Sequence, residues 1–323
     1  MYQRTLLSLI SLFLWILPAD AQEKNTADKA IQEILDKNPV AGLSVAVVKK
    51  DQIVYQNSFG MKDIQKEILL TDESLFRIAS ISKSFTVTAL MQLVEEKKLS
   101  LKDDVSNLIG FQVRNPHYPD QVITLEMLLS HTSGINDSEG YFSLDAIDPA
   151  TNPDWENCYN DYEPGKGYEY CNLNFNIAGT ILERFSGERF DHYIVKHILE
   201  PLNIYGGYDV DELDQSLFAT IYNINSQTGT FTPSPAAYAS RREEIENYTM
   251  GRSAPIFSPT GGLKISAPGL ARYMAMHMNN GKLDGNRIIT KKSEKTMRKP
   301  RSDQENYGLA LQTTRKFIPG ETL

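Results

Sequence analysis

The chain has 323 residues, 41% of them hydrophobic and 23% charged, and carries a net charge of −8 at pH 7. That is a globular composition, long enough for one large domain or two intimate lobes. No basic phosphate-binding face stands out, which excludes a nucleic-acid partner, and no apolar run reaches the roughly 20 residues needed to span a bilayer.

Residues 1–21 read as a secretory signal peptide. Arg4 gives a positive start, Leu6 to Leu17 is almost wholly apolar, and Ala19-Asp20-Ala21 is an A-x-A cleavage site. The product is expected to be exported, periplasmic or secreted, with no membrane span after cleavage. The fold then begins with a helix from a Thr26 cap to about Lys37, its apolar positions at i, i+3, i+4 and i+7. From Leu43 the period changes to two. Leu43, Val45 and Val47 alternate, a polar turn follows, and Ile53 to Phe59 completes a β-hairpin.

A long helix starts near Ser80 and runs to about Lys97. Further helices are expected over 174–185, 190–199, 268–278 and 291–298, with strand character returning at Tyr307 to Thr313. Residues 203–256 lack a clear period. This order suggests a sheet built from both ends of the chain around an inserted helical lobe, an α+β class. Residues 22–323 form the domain. Its sheet lobe covers about 27–80 and 256–323, its helical lobe about 81–255.

The sharpest chemical feature is Ser80-Ile81-Ser82-Lys83, an S-x-x-K pattern that puts a hydroxyl and an amine on nearly one helix face. A serine is a poor nucleophile until a base takes its proton. A lysine can be that base only if burial or a nearby cation disfavours its charged form. By itself the pattern also suits an N-cap serine beside a solvated lysine. The second feature is Tyr170-Cys171-Asn172, a Y-x-N just before a helix. A tyrosinate beside a lysine can shuttle protons, and an asparagine carboxamide can bind both the lysine and a substrate amide.

Together these segments resemble the class C β-lactamase and D-Ala-D-Ala carboxypeptidase superfamily of penicillin-recognising serine enzymes, for which S-x-x-K is the nucleophile motif. The likeness extends to Leu128-Leu129-Ser130-His131-Thr132-Ser133-Gly134, Ser258-Pro259-Thr260-Gly261-Gly262-Leu263 and Tyr307-Gly308-Leu309, over roughly residues 27–323. It implies a β-lactamase/transpeptidase-like fold, an antiparallel sheet flanked by helices. It implies catalytic roles for Ser80, Lys83 and Tyr170, and substrate binding by Asn172. The reaction would be acyl transfer to water from an amide or ester, on a small-molecule or peptide substrate, without metal or cofactor. The family's third motif, K-T-G or H-x-G, has no counterpart after residue 307, so a C-terminally truncated fragment with its last strands missing is expected. A non-catalytic binding module on the same fold is the alternative.

Other residues carry weaker signals. Cys158 and Cys171 could pair in an oxidising compartment or stay as buried thiols. His131 reads as a structural histidine fixing its turn. His192 and His197 are five apart and turn to different helix faces, so no metal site is expected there. Between Asn136 and Gly165 lie eight acids and no Lys or Arg. They read either as a lid favouring cationic amines or as a solvated acidic loop.

Overall fold

The computed structural model describes residues 19–302 and 304–313. The leader expected over residues 1–21 lies outside them up to residue 18, as does everything after Thr313. The chain divides into two units, up to Val40 and from Ala41 onward. The first is helix α1 (Ala19–Lys37). It begins seven residues before the expected Thr26 cap, because the Ala, Gln, Glu and Lys residues ahead of Thr26 are all good helix formers. At its end Asn38 Nδ2 donates to the Ile34 carbonyl at 2.8 Å.

The second unit opens with the hairpin of β1 (Gly42–Lys49) and β2 (Gln52–Asp63), paired from Gly42↔Gly60 to Lys49↔Gln52. Lys50 and Asp51 close it with positive φ at both positions, the backbone a two-residue hairpin turn requires. Strand β3 (Ile68–Leu69) adds to the β2 edge. A second sheet joins distant parts of the sequence. Strands β4 (Phe76–Arg77) and β5 (Gly206–Gly207) flank β8 (Lys264–Ile265), both antiparallel to it. Residues before the helical region and residues after it thus share one ladder, as the element order suggests.

The core is helical. Helix α2 (Ser82–Glu95) is buried along almost its whole length, as is α5 (Leu173–Ser186), with the shorter α3 (Val105–Ile109), α4 (Leu125–Leu129) and α6 (Phe190–Ile194) around them. Expected helix 190–199 is α6 continued by a π-helical turn over Val195–Leu199. The aperiodic region 203–256 holds only β5, a hairpin of β6 (Tyr222–Ile224) with β7 (Phe231–Pro233), helix α7 (Arg242–Glu246) and 3-10 turns. Helix α8 (Ala267–Met278) starts on a Ser266 cap, and its Tyr273 stacks on Phe85 of α2 with ring centroids 3.6 Å apart. Strands β9 (Lys282–Leu283) and β10 (Asn286–Arg287) then lead to α9 (Lys291–Arg298).

Tyr307 to Thr313 is not the expected strand. The chain reverses there, with Gly308 N donating to Leu311 O at 2.8 Å and Ala310 at φ +55°. Tyr307 and Gln312 form only an isolated antiparallel bridge, and the alternating apolar pattern serves burial of Leu309 instead of a ladder.

Candidate active site

Ser80 stands where β4 gives way to α2. Ala79 takes a left-handed backbone (φ +46°), and a 3-10 turn over Ala79–Ile81 then delivers Ser80 to the start of the helix. Ser80 is exposed, whereas Lys83, one turn on, is 1% exposed. The Lys83 amine has three acceptors: Ser80 Oγ at 3.0 Å, Asn172 Oδ1 at 2.9 Å and the Thr260 carbonyl at 3.1 Å. Burial pushes its pKa down to about 8, the Asp137 charge opposes this, and the Arg77 charge assists it. Once neutral, the amine keeps two N–H donors for Asn172 and Thr260 and turns a lone pair toward the Ser80 hydroxyl.

Asn172 is oriented by Asp137, a residue that sequence reasoning places only among the loop acids. Asp137 Oδ2 accepts from both Asn172 N and Asn172 Nδ2 at 2.9 Å, and Oδ1 accepts from Leu173 N at 2.9 Å. The carboxylate therefore satisfies free N–H groups at the start of α5, where a negative charge is favoured. It also fixes the carboxamide with Oδ1 toward Lys83. Thr260 Oγ1 donates to that same oxygen at 2.8 Å. Thr260 can come this close because α5 carries Gly179 opposite Pro259. A Cβ there would sit 2.3 Å from Pro259 Cγ.

Tyr170 lies over the amine, its ring centroid 4.8 Å from Lys83 Nζ. Its pKa is raised, by burial first, while a hydrogen bond with Ser80 works the other way. That shift favours the phenol form of Tyr170 over the tyrosinate. His131 is fully buried at φ +60°, and its Nδ1 accepts from Cys171 N at 3.1 Å. Its ring packs 4.4 Å from Tyr170 and 5.1 Å from both Phe175 and Tyr307. Burial, then the Lys83 charge, depresses its pKa to about 3. It stays neutral and props the Tyr170–Asn172 segment, the structural part its turn suggests.

Ser80, Lys83, Tyr170 and Asn172 are therefore brought together, with Asp137 and Thr260 as residues the motifs did not single out. Thr260 lies inside a segment quoted for the family likeness, whereas no spacing rule points to Asp137. Cys158 and Cys171 are free thiols, directed to the Ala146 carbonyl at 3.3 Å and to Asp137 Oδ1 at 3.2 Å. Three of the eight acids of the loop are engaged within the fold: Asp137 at α5, and Asp145 and Asp148 by Arg252. Asp191, His192 and Glu212 come together, but the Arg189 guanidinium sits among them, 2.7 Å from His192 Nε2 and 3.0 Å from Glu212 Oε1.

Comparison with known proteins gives the family and the fold. The beta-lactamase family model matches residues 27–317. Protein flp of Staphylococcus aureus (strain N315) is 29% identical over 199 residues, covering 58% of this chain and 38% of that protein. Penicillin-binding protein 4* of Bacillus subtilis (strain 168) is 28% identical over 221 residues, covering 64% and 48%. The chain thus spans less than half the length of these curated relatives. Among solved structures, the octameric penicillin-binding protein homologue from Pyrococcus abyssi has a TM-score of 0.73 at 27% identity, covering 92% of this chain and 66% of that one. EstCE1, a hydrolase with promiscuous acyltransferase activity, shares the fold with a TM-score of 0.67 at 19% identity, covering 90% and 83%.

Proposed function

The chain belongs to the beta-lactamase family, and on that premise we propose that it is a serine hydrolase that forms an acyl-enzyme at Ser80. The observation that carries this reading is the buried Lys83 amine, 3.0 Å from Ser80 Oγ and lowered to about 8. Neutral Lys83 takes the hydroxyl proton as Ser80 Oγ attacks an ester or amide carbonyl. The Ser80 N–H, at the start of the helical segment, is one donor for the oxyanion. The proton returns from Lys83 through the Tyr170 hydroxyl to the leaving group, whose bond to the acyl carbon breaks. Water then attacks the acyl-enzyme, gives its proton to the same pair, and releases the acid and free Ser80.

Asn172, held by Asp137, positions the amine and offers its carboxamide to substrate. Activity on D-amino-acid peptides, β-lactams or simple esters belongs to this one scheme. Export rests on the leader sequence, and among the described residues no helix is long and apolar enough to cross a membrane. The test is a panel of short-chain esters, D-Ala-D-Ala peptides and nitrocefin, assayed with the full chain and with Ser80→Ala. Turnover of at least one class that vanishes in Ser80→Ala is expected. Turnover that survives the substitution, or none with any class, contradicts the reading.

A further inference from the structure

A cavity of about 530 Å³ lies beside the second sheet, walled by Arg77, Arg241 and Lys264 with Glu244 as its one carboxylate. Glu244 is already paired with Arg241 at 2.9 Å. The lining therefore carries an excess of two positive charges in a chain of net charge −8. Arg77 and Lys264 are direct partners across the β4–β8 ladder, so their side chains share a face. Like charges directly opposite one another are destabilising unless something compensates them. Among the described residues no carboxylate lies within ion-pair distance of either. Arg77 Nε donates to the Gly261 carbonyl at 2.9 Å and Lys264 Nζ to the Tyr208 carbonyl at 2.8 Å. The remaining N–H groups of the guanidinium and the ammonium can receive an anion. Burial, followed by the charges of Arg77 and Arg241, lowers Lys264 to about 8, against a smaller opposing pull from the Asp209 charge.

The cavity is tied to the Ser80 site through consecutive residues. The Thr260 carbonyl accepts from Lys83, and the next carbonyl, Gly261, accepts from Arg77. Gly261 also leaves open the space between Arg77 and the Ser80 turn. A Cβ there would be 3.2 Å from Arg77 Nη2 and 3.6 Å from the Ala79 carbonyl carbon. Neither Ser80 nor Tyr170 lines the cavity, which meets the Ser80 turn on the side of Arg77 and Gly261. An acyl part that extends from Ser80 away from Tyr170 would enter it. Its apolar walls, among them Val210, Ile221, Ile256 and Phe257, suit a short carbon chain.

We propose that this cavity is an acyl-side subsite for a carboxylate, gripped by Arg77 and Lys264, so that the preferred acyl donors are half-esters or half-amides of short dicarboxylic acids. The assignment to the acyl side rests on the Ser80 reading above. A planar guanidinium beside an ammonium matches a carboxylate, with two parallel N–H bonds from the arginine.

The test compares p-nitrophenyl butyrate with the mono-p-nitrophenyl ester of glutaric acid at pH 7. The full chain should favour the anionic ester tenfold or more in kcat/KM, and Lys264→Met should collapse that ratio toward one. Arg241→Gln, on the exposed rim, should reduce the ratio a few-fold and serves if Lys264→Met does not fold. Ser80-dependent turnover of both esters at equal rates overturns the subsite and leaves the serine hydrolase intact. If neither ester is turned over, calorimetric titration of glutarate into the Ser80→Ala protein decides. Binding weakened tenfold by adding Lys264→Met upholds the cavity while the Ser80 reading falls. Equal binding with and without Lys264 overturns the cavity.

Discussion

Lys83 and Lys264 are both buried lysines whose pKa falls to about 8, yet their surroundings are built differently. Lys83 sits in a closed network. Its three acceptors are in place, the carboxamide among them is fixed by Asp137, and Asp137 is itself saturated by α5 and Asn172. Lys264 sits in an open one. It has one carbonyl, two arginines that repel it, the weaker attraction of Asp209, and a cavity in front. A closed network holds a reacting group in one geometry before substrate arrives, and an open one leaves part of the counter-charge to be brought by a ligand. On the two proposals above, the same buried amine would serve a chemical step in one place and recognition in the other.

The comparison can be broken most sharply at Lys83. Lys83→Met is expected to lower kcat/KM on any substrate of the chain by about a thousandfold or more, since both the base and the anchor of Asn172 are lost. Steady-state rates on the best ester of the panel check this, and a loss below tenfold would show that Lys83 is not the base. Asp137→Asn comes next. It keeps the volume but turns an amide toward the α5 N–H groups. Activity should fall about 10- to 100-fold, and urea unfolding should show a loss of about 1–3 kcal/mol, the usual penalty for unpaired buried donors. A fall in activity without a fall in stability would separate Asp137 from the helix start.

The pH profile sharpens the contrast further. Because only neutral Lys83 accepts the serine proton, kcat/KM should rise about tenfold per unit below the apparent pKa and level off near pH 8. Adding the Arg77→Gln change removes a charge that helps depress Lys83 and should move that limb upward. An unmoved limb would mean that the cavity and the nucleophile are electrostatically independent.

A stability effect that leaves the chemistry untouched concerns two buried histidines, His131 beside Tyr170 and His277 of α8, whose ring meets Tyr273 edge-on. His131 and His277 are depressed to about 3 and about 4, both mainly by burial. The unfolded chain, with histidines near 6.5, binds more protons in that window, so stability is complete above pH 6.5 and is lost as pH falls toward 4 and 3. Two such groups give a slope of up to about 2.7 kcal/mol per pH unit. Urea titrations between pH 7 and 4.5 should show it, and His131→Asn should make the fall shallower while lowering stability at pH 7. An unchanged slope would move the acid sensitivity to other groups.

How much of this is legible in the sequence follows the same division. The closed network is set at the starts of two long helices, with Ser80 on the turn into α2, Lys83 in its first turn, and Asn172 at the cap of α5. The S-x-x-K and Y-x-N spacings therefore translate directly into geometry at Ser80, Lys83, Tyr170 and Asn172. Asp137 is not legible, because it reaches Asn172 from a loop of eight acids in which nothing distinguishes it. The cavity is less legible still. Arg77 and Lys264 are 187 positions apart and meet only through a two-residue antiparallel pairing, and its outer wall comes from the aperiodic 203–256 region. The Tyr307–Thr313 segment misleads for another reason. Alternation of apolar and polar residues describes burial on one side, and a reversal at Gly308–Leu311 produces that as readily as a strand does.

The central claim is that the closed network around Lys83 makes Ser80 a nucleophile. Its most direct measurement is the rate of covalent labelling by a fluorophosphonate between pH 6 and 9, followed by intact mass and peptide mapping. The account predicts one adduct, on Ser80, forming faster as pH rises to a plateau near 8, and slowed strongly in Lys83→Met. A folded protein that takes no label, takes it elsewhere, or takes it at a rate indifferent to pH would contradict it.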